Sequence, residues 1–276
     1  MANKTWVGGD SGGTGDYSIA ANWSPSGVPS AADNVRIPAS SSYDIDAGLD
    51  QSAVAVGDFI VEAGFTGAIG ASSADLQIDP DRFEFNGSGT AYIDIGAAAI
   101  DVQVLGTATA ATGERGLYLK GSAIDELVVI GGNVGVAAVH GTTATVATCR
   151  ITGSGADVWL GEGTTLTTLS VSAGTVRLRC GATTINQYGG TLYTEEAGAV
   201  TTANVEGGTV YANSSGTITT LTVDGGTADF TQSGLGRTVS TLNLNAGGTI
   251  IYDPSVLTIT TRAAPDGPVN LRASNL

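Results

Sequence analysis

The residues of this chain whose types could do chemistry are few, and their spacing gives most of them no suitable partner. Ser11 sits in Gly9-Asp10-Ser11-Gly12-Gly13, a setting for a nucleophilic serine, which would need a histidine base and a carboxylate to orient it. The only histidine, His140, lies far along the chain in a repeat region, so a Gly-rich turn beside Trp6 accounts for the string. The stretch from Gly8-Gly9-Asp10 to Gly15-Asp16 faintly resembles a calcium-type nonapeptide, once and without the tandem copies that build such an ion site. Glycan cleavage would need clustered carboxylates, one protonating a leaving group or polarising a sugar acid. The local pairs are Asp44/Asp46, Asp79/Asp81, Asp125/Glu126 and Glu195/Glu196. Only the i, i+2 pairs project to one side of an extended chain, and neither is matched one coil away. Cys149 and Cys180 are the only cysteines; a disulfide and two buried thiols both fit them, and no metal-ligand spacing is present. Asn22, Asn86 and Asn213 head glycosylation sequons. No catalytic, cofactor-binding or metal-binding residue is expected.

Charge narrows the partners. Against 11 Lys and Arg stand 26 Asp and Glu, a formal charge of −15. That surface repels phosphate backbones and carries no basic stripe, so nucleic-acid binding is not expected. The N-terminus reads MANKTWVGGDSG without an apolar core, and no apolar run reaches the length of a membrane span. The expectation is synthesis in the cytoplasm without membrane insertion.

The elements that must position these side chains are written between residues 164 and 253. TLSVSAGTVRL, INQYGGTLYT, ANVEGGTVYA, LTVDGGTADF and LNLNAGGTIIY each join two alternating runs through a Gly-containing turn and a Thr. Those Thr are Thr175, Thr191, Thr209, Thr227 and Thr249, in steps of 16, 18, 18 and 22 residues. Such a period marks a solenoid, and apolar alternation every second residue makes its elements strands. Two strands of roughly 4 to 6 residues at about 3.3 Å per residue, with their turns, fill one coil of a parallel β-helix. Glycine suits a corner repeated at every rung, and β-branched Thr favours extended chain and can stack on the Thr of the next rung. The 41 Gly and single Met also disfavour helix. The fold class is therefore all-β: a single-stranded, right-handed parallel β-helix of about a dozen coils, with the hand taken from the general preference of parallel crossovers.

Three segments are expected. Residues 1–38 hold Trp6, Trp23 and Pro29, the composition of a cap over the first rung; residues 39–262 are the helix; residues 263–276, with Pro265 and Pro268, are a C-terminal cap or a docking tail. Strands are expected at 34–37, 54–62, 76–78, 83–85, 92–95, 100–105, 117–119, 127–130, 134–139, 146–151, 158–160 and 256–261, with Asp79-Pro80-Asp81 as a loop.

The first segment, W-x-G-G at Trp6, N-W-S at Asn22, G-x-P at Gly27 and D-x-V-x-I at Asp33, resembles the N-terminal module that precedes β-solenoid regions in bacterial surface proteins and bacteriophage structural proteins. The resemblance implies a non-enzymatic virion component, capsid-decorating or spike-like, made in the host cytoplasm and attached to the major capsid protein or other virion proteins. A homotrimer is the assembly it implies. Trp6, Trp23, Pro29, Pro265 and Pro268 are the candidate cap and interface residues. The alternatives are a glycan-binding adhesin or autotransporter passenger at a bacterial surface, and a polysaccharide lyase or hydrolase.

Overall fold

The computed structural model describes residues 2–9, 15–96, 100–107, 114–139, 141–263 and 270–273. Among these the chain is a parallel β-solenoid with about 11 turns in all, and its one helical piece is a 3-10 turn at Ala20–Asn22. It divides into two compact units, Met1–Val146 and Ala147–Leu276. No described helix is long and apolar enough to cross a membrane.

In the second unit every coil sends two strands into two parallel stacks. One stack runs through Thr175–Leu178, Thr191–Thr194, Thr209–Ala212, Thr227–Asp229, Thr249–Tyr252 and Asn270–Ala273. The other runs through Thr164–Val171, Ala182–Gln187, Val200–Val205, Ile218–Val223, Arg237–Leu244 and Leu257–Arg262. The five Thr of the repeat lie opposite one another from rung to rung. The residue after each points inward: Val176, Leu192, Val210, Ala228 and Ile250 are buried. The Leu221 stack matches them with Leu169, Ile185, Ala203, Leu221 and Leu242. Burying each such Val, Leu or Ile contributes about 1.5–3 kcal/mol, and only the adjacent rungs can bury it.

The two connections of a coil differ. From the Leu221 stack into the Thr209 stack the turn is three residues in four coils (172–174, 188–190, 206–208, 224–226) and four at 245–248. The return connection varies from 179–181 through 195–199 and 213–217 to 230–236. Glycine is required in the constant turn. Gly190 and Gly208 both have φ +68°, and a Cβ on Gly208 would stand 2.4 Å from the Gly190 carbonyl oxygen.

The first unit has longer coils and a bulkier interior. Val35, Phe59, Phe83, Val102 and Leu127 form one inward column, and Phe59, Phe65, Phe83 and Phe85 are all buried. Its strands bend through corners without breaking. Leu76–Phe85 is continuous, pairing through 76–78 with Ala91–Ile95 and through 82–85 with Ile100–Val104. The loop expected at Asp79-Pro80-Asp81 is thus a corner within one strand, in which Pro80 is buried and lies opposite Val56. Proline's fixed φ fits extended chain, and at a corner its missing N–H does not stop the strand. Likewise the runs at 117–119 and 127–130 belong to one strand, Leu117–Val136.

Residues 1–38 are built into this first unit. Asn3–Trp6 pairs in parallel with Asn34–Ile37 and antiparallel with the two-residue strand Trp23–Ser24. That short strand covers an edge that would otherwise present unpaired backbone groups. In the tail, Asn270–Ala273 pairs with Thr249–Tyr252 and so extends the Thr209 stack by a rung.

Candidate functional site

The aromatic residues of the N-terminal segment turn inward. Trp6 and Trp23 pack edge to face at 5.2 Å, and Tyr17 packs on Trp23 at 4.7 Å. The Trp23 indole N–H donates to the Tyr17 carbonyl at 2.8 Å and that of Trp6 to the Tyr43 carbonyl at 3.3 Å. Burial pushes the Tyr17 phenol upward. Gly8 and Gly9 lie against the Tyr43 ring, where a Cβ on either would come within 2.5 Å. Asp33 ties the segment together, accepting from the Ala2 N–H at 2.7 Å and from the Ser30 hydroxyl at 2.8 Å. Its pKa is lowered, chiefly by the Ala2 bond and then by Ser30. Trp6, Trp23 and Pro29 are buried, so they hold the cap together and offer a partner no aromatic surface. Asn22 is fully buried as well, which closes its sequon to modification. Asp10, Ser11, Gly12, Gly13, His140, Pro265 and Pro268 lie outside the described residues.

On the outer face of the first unit the coils gather charges that the sequence reading did not connect. A groove of about 610 Å³ is lined by Arg36, Asp58, Ile60, Glu62, Glu84 and Asn86, among others. Alternation on Asp50–Val61 and Leu76–Phe85 turns Asp58, Arg82 and Glu84 outward, with Glu62 just past the end of the first strand, and the register sets Arg82 opposite Asp58 and Glu84 opposite Ile60. Arg36 bonds Glu62, and Arg82 bonds Glu84. Lys120 lies 2.6 Å from Asp75 and 3.4 Å from Asp94, and its pKa is raised first by the Asp75 hydrogen bond. Arg36 and Glu62, and Lys120 and its two carboxylates, stand a full irregular coil or more apart in sequence, whereas Arg82 and Glu84 are two residues apart on one strand; the readable signal was alternation of Asp58, Ile60 and Glu62, followed one coil later by Arg82 and Glu84.

The acidic pairs noticed in the sequence do not converge. Asp44 accepts the Ala68 N–H at 2.7 Å, Asp79 and Asp81 sit at the corner described above, and Glu195 is bonded by both Arg177 and Arg179 at 2.8 and 3.0 Å.

The second unit carries two outer faces of different chemistry. On the Thr209 stack, Trp159, Arg177, Tyr193 and Tyr211 follow one another in register. The Arg179 guanidinium lies 4.9 Å from the Trp159 ring, that of Arg177 4.8 Å from Tyr193, and Tyr193 stacks on Tyr211 at 4.9 Å. Cation–π contact and the Glu195 bridges tie these side chains along the stack. On the Leu221 stack the outward positions are Thr168, Thr184, Thr202, Thr220 and Thr241, beside Ser170, Asn186, Asn204, Thr222 and Asn243. Asn204 donates to Asn186 at 2.9 Å and Asn243 to Thr222 at 3.2 Å.

Three polar side chains inside this unit were not foreseen as interior. Gln187 occupies a column of Val171, Val205, Val223 and Leu244 and donates to the Gly189 carbonyl at 2.5 Å. Arg237 is 5% exposed and reaches Thr194 Oγ1 at 3.5 Å. Asp229 is also buried, accepting from the Thr231 hydroxyl at 2.7 Å. Cys149 and Cys180 are buried free thiols, each pushed up to about 12 by burial, with Cys180 adding to the effect on Cys149. No group of three or more His, Cys, Asp or Glu among the described residues could hold a metal ion. Compared with known proteins, the chain matches no family model, no curated protein and no solved structure.

Proposed function

We propose that the protein is a non-enzymatic structural component of a bacteriophage virion, a capsid-decorating or spike-like solenoid attached to the major capsid protein or another virion protein, and that it assembles as a homotrimer. The observation that carries this reading is the commitment of outward side chains to rung-to-rung bonding. Arg36 with Glu62, Glu195 with two arginines, the tyrosine stack and the Asn186–Asn204 ladder all brace one coil against another. A face braced in this way favours stiffness, and in-register stacking buries the apolar column behind it. The N-terminal W-x-G-G module supports the virion setting.

The test is mass spectrometry of purified particles from a host carrying the gene, with copy number measured against the major capsid protein. Recovery at a fixed stoichiometry is expected, and a high copy number identifies decoration. Absence from particles, with the protein found at the cell surface, refutes the virion reading in favour of an adhesin.

A further inference from the structure

We infer that the buried guanidinium of Arg237 is the binding site of one small monovalent anion of the halide class, held inside the second unit by Nε and Nη2.

The rungs build the site. Arg237 opens the strand Arg237–Leu244 and is 5% exposed. Its Nη1 donates to Thr194 Oγ1 at 3.5 Å, and its guanidinium carbon lies 5.7 Å from the Phe230 ring. Thr194 lies opposite Ala212, and Tyr211 lies opposite Asp229, the residue before Phe230. Thr194, Ala212 and Phe230 therefore form one buried column. The middle member carries a single methyl, so the Arg237 side chain has room to reach back along the core to Thr194.

One edge of the group is left over. Nε and Nη2 are buried and have no hydrogen-bond acceptor among the described residues. In a planar guanidinium those two N–H bonds point the same way, as a fork that grips an anion at two points. The charge has no counterpart either. Burial is the one influence that shifts its pKa, and Asp229, at the start of the same connection, spends Oδ1 on the Thr231 N–H and hydroxyl at 2.8 and 2.7 Å. A buried charge with neither acceptor nor counter-ion is among the costliest arrangements in a core, and one anion at that edge supplies both.

The setting selects the occupant. One fixed positive charge is neutralised by one negative charge, whereas a phosphate or sulfate would bring a second charge to desolvate and more oxygens than two N–H groups can serve. Phe230 and Ala212 present hydrocarbon, which favours a weakly hydrated ion such as chloride or bromide over fluoride. The connection 230–236 is longer than the returns before it and loosely covered: nothing stands within 4 Å of a Cβ built on Gly234 or Gly236, and Leu235 is 50% exposed. A surface of net charge −15 does not gather anions on its own, so a saturable anion response needs a built site. The site goes beyond the structural reading and does not rest on it.

The test is thermal unfolding of the purified full-length protein at constant ionic strength, with chloride, bromide or fluoride exchanged for gluconate, an organic anion too large for the core. Raising chloride from about 1 mM to about 200 mM should raise the melting temperature of the parent saturably by roughly 2–4 °C, with bromide at least as effective and fluoride weaker. Arg237→Met has no cation to hold an ion; it should melt above the parent in gluconate, and chloride should narrow that lead. Arg237→Lys keeps the charge without the fork and should lose most of the chloride response. Crystals of the parent grown in bromide should show an anomalous peak within hydrogen-bonding reach of both Nε and Nη2. The inference is overturned if no bromide stands there, or if the parent and Arg237→Met respond equally to chloride; either result would leave that edge to water. Both readouts use isolated protein, so failure here leaves the virion test independent.

Discussion

Replacing Arg237 by Met should make the protein more stable. The guanidinium is 5% exposed inside the second unit, 5.7 Å from the Phe230 ring and 3.5 Å from Thr194 Oγ1. Its Nε and Nη2 have no hydrogen-bond acceptor among the described residues. Burial pulls its pKa down to about 10. Each tenfold in protonation equilibrium is about 1.4 kcal/mol, so a fall from the ordinary arginine value corresponds to roughly 3 kcal/mol by which folding disfavours the charge. At pH 7 the group is charged whether folded or unfolded, and that penalty is present in full. It lifts only as pH rises through about 10 toward the unfolded value, where the folded protein can hold the group neutral. Met keeps the aliphatic stem and omits the charge, and replacing a buried ionic group by an apolar one of similar shape is neutral to stabilising by about 1–4 kcal/mol. Arg237→Met should therefore gain about 1–3 kcal/mol at pH 7 in urea unfolding, with the gap to the parent narrowing above pH 10. A loss of 1 kcal/mol or more would refute the reasoning, because it would mean that the guanidinium is satisfied.

Three further outcomes test other parts of the structure. Gly208→Ala should cost at least about 2 kcal/mol, combining about 1–2 kcal/mol for left-handed backbone with the approach of its Cβ to Gly190. Gly234→Ala, at φ +62° with nothing within 4 Å, should cost only the first part, and equal losses in paired melts would dispose of the close-approach argument. Asp33→Asn should destabilise the N-terminal segment by about 1 kcal/mol at neutral pH through its weaker acceptor oxygens. Since the Asp33 pKa is depressed by folding, this contribution is present above the unfolded carboxylate value and fades as pH falls through the folded one; a gap that persists in strong acid would count against it. Cys149 and Cys180, buried with pKa values pushed up to about 12, should resist an aromatic disulfide reagent at pH 8 until the chain is denatured. Immediate labelling of the folded protein would show that the core opens readily.

The second unit was legible because its period is short and its corner residues recur. Thr175 to Thr249 could be aligned by eye, and that alignment is the observed register. The first unit was harder, since its coils differ in length and its strands bend without a break. Pro80 read as an interruption only because sequence does not distinguish a corner from an end. Trp6 and Trp23 were read as candidate cap and interface residues, and whether an aromatic ring faces a partner or its own core depends on packing that no local pattern encodes. Arg237 follows Gly234-Leu235-Gly236, the wording of an exposed loop, and only the stacking of rungs carries its side chain inside.

The unequal connections of the coil bear on how such a chain can change. The turn into the Thr209 stack stays at three or four residues, while the return grows from 179–181 to 230–236 with the rungs on either side still in register. Segment length and strand pairing are therefore uncoupled on one side of the solenoid. Loop entropy rises only slowly with added residues, so this side can accept insertions that the other would reject as broken register. The stretch around Gly234 and the half-exposed Leu235 is a natural port for grafting a foreign peptide. Variation can collect there while the spine behind it keeps its spacing.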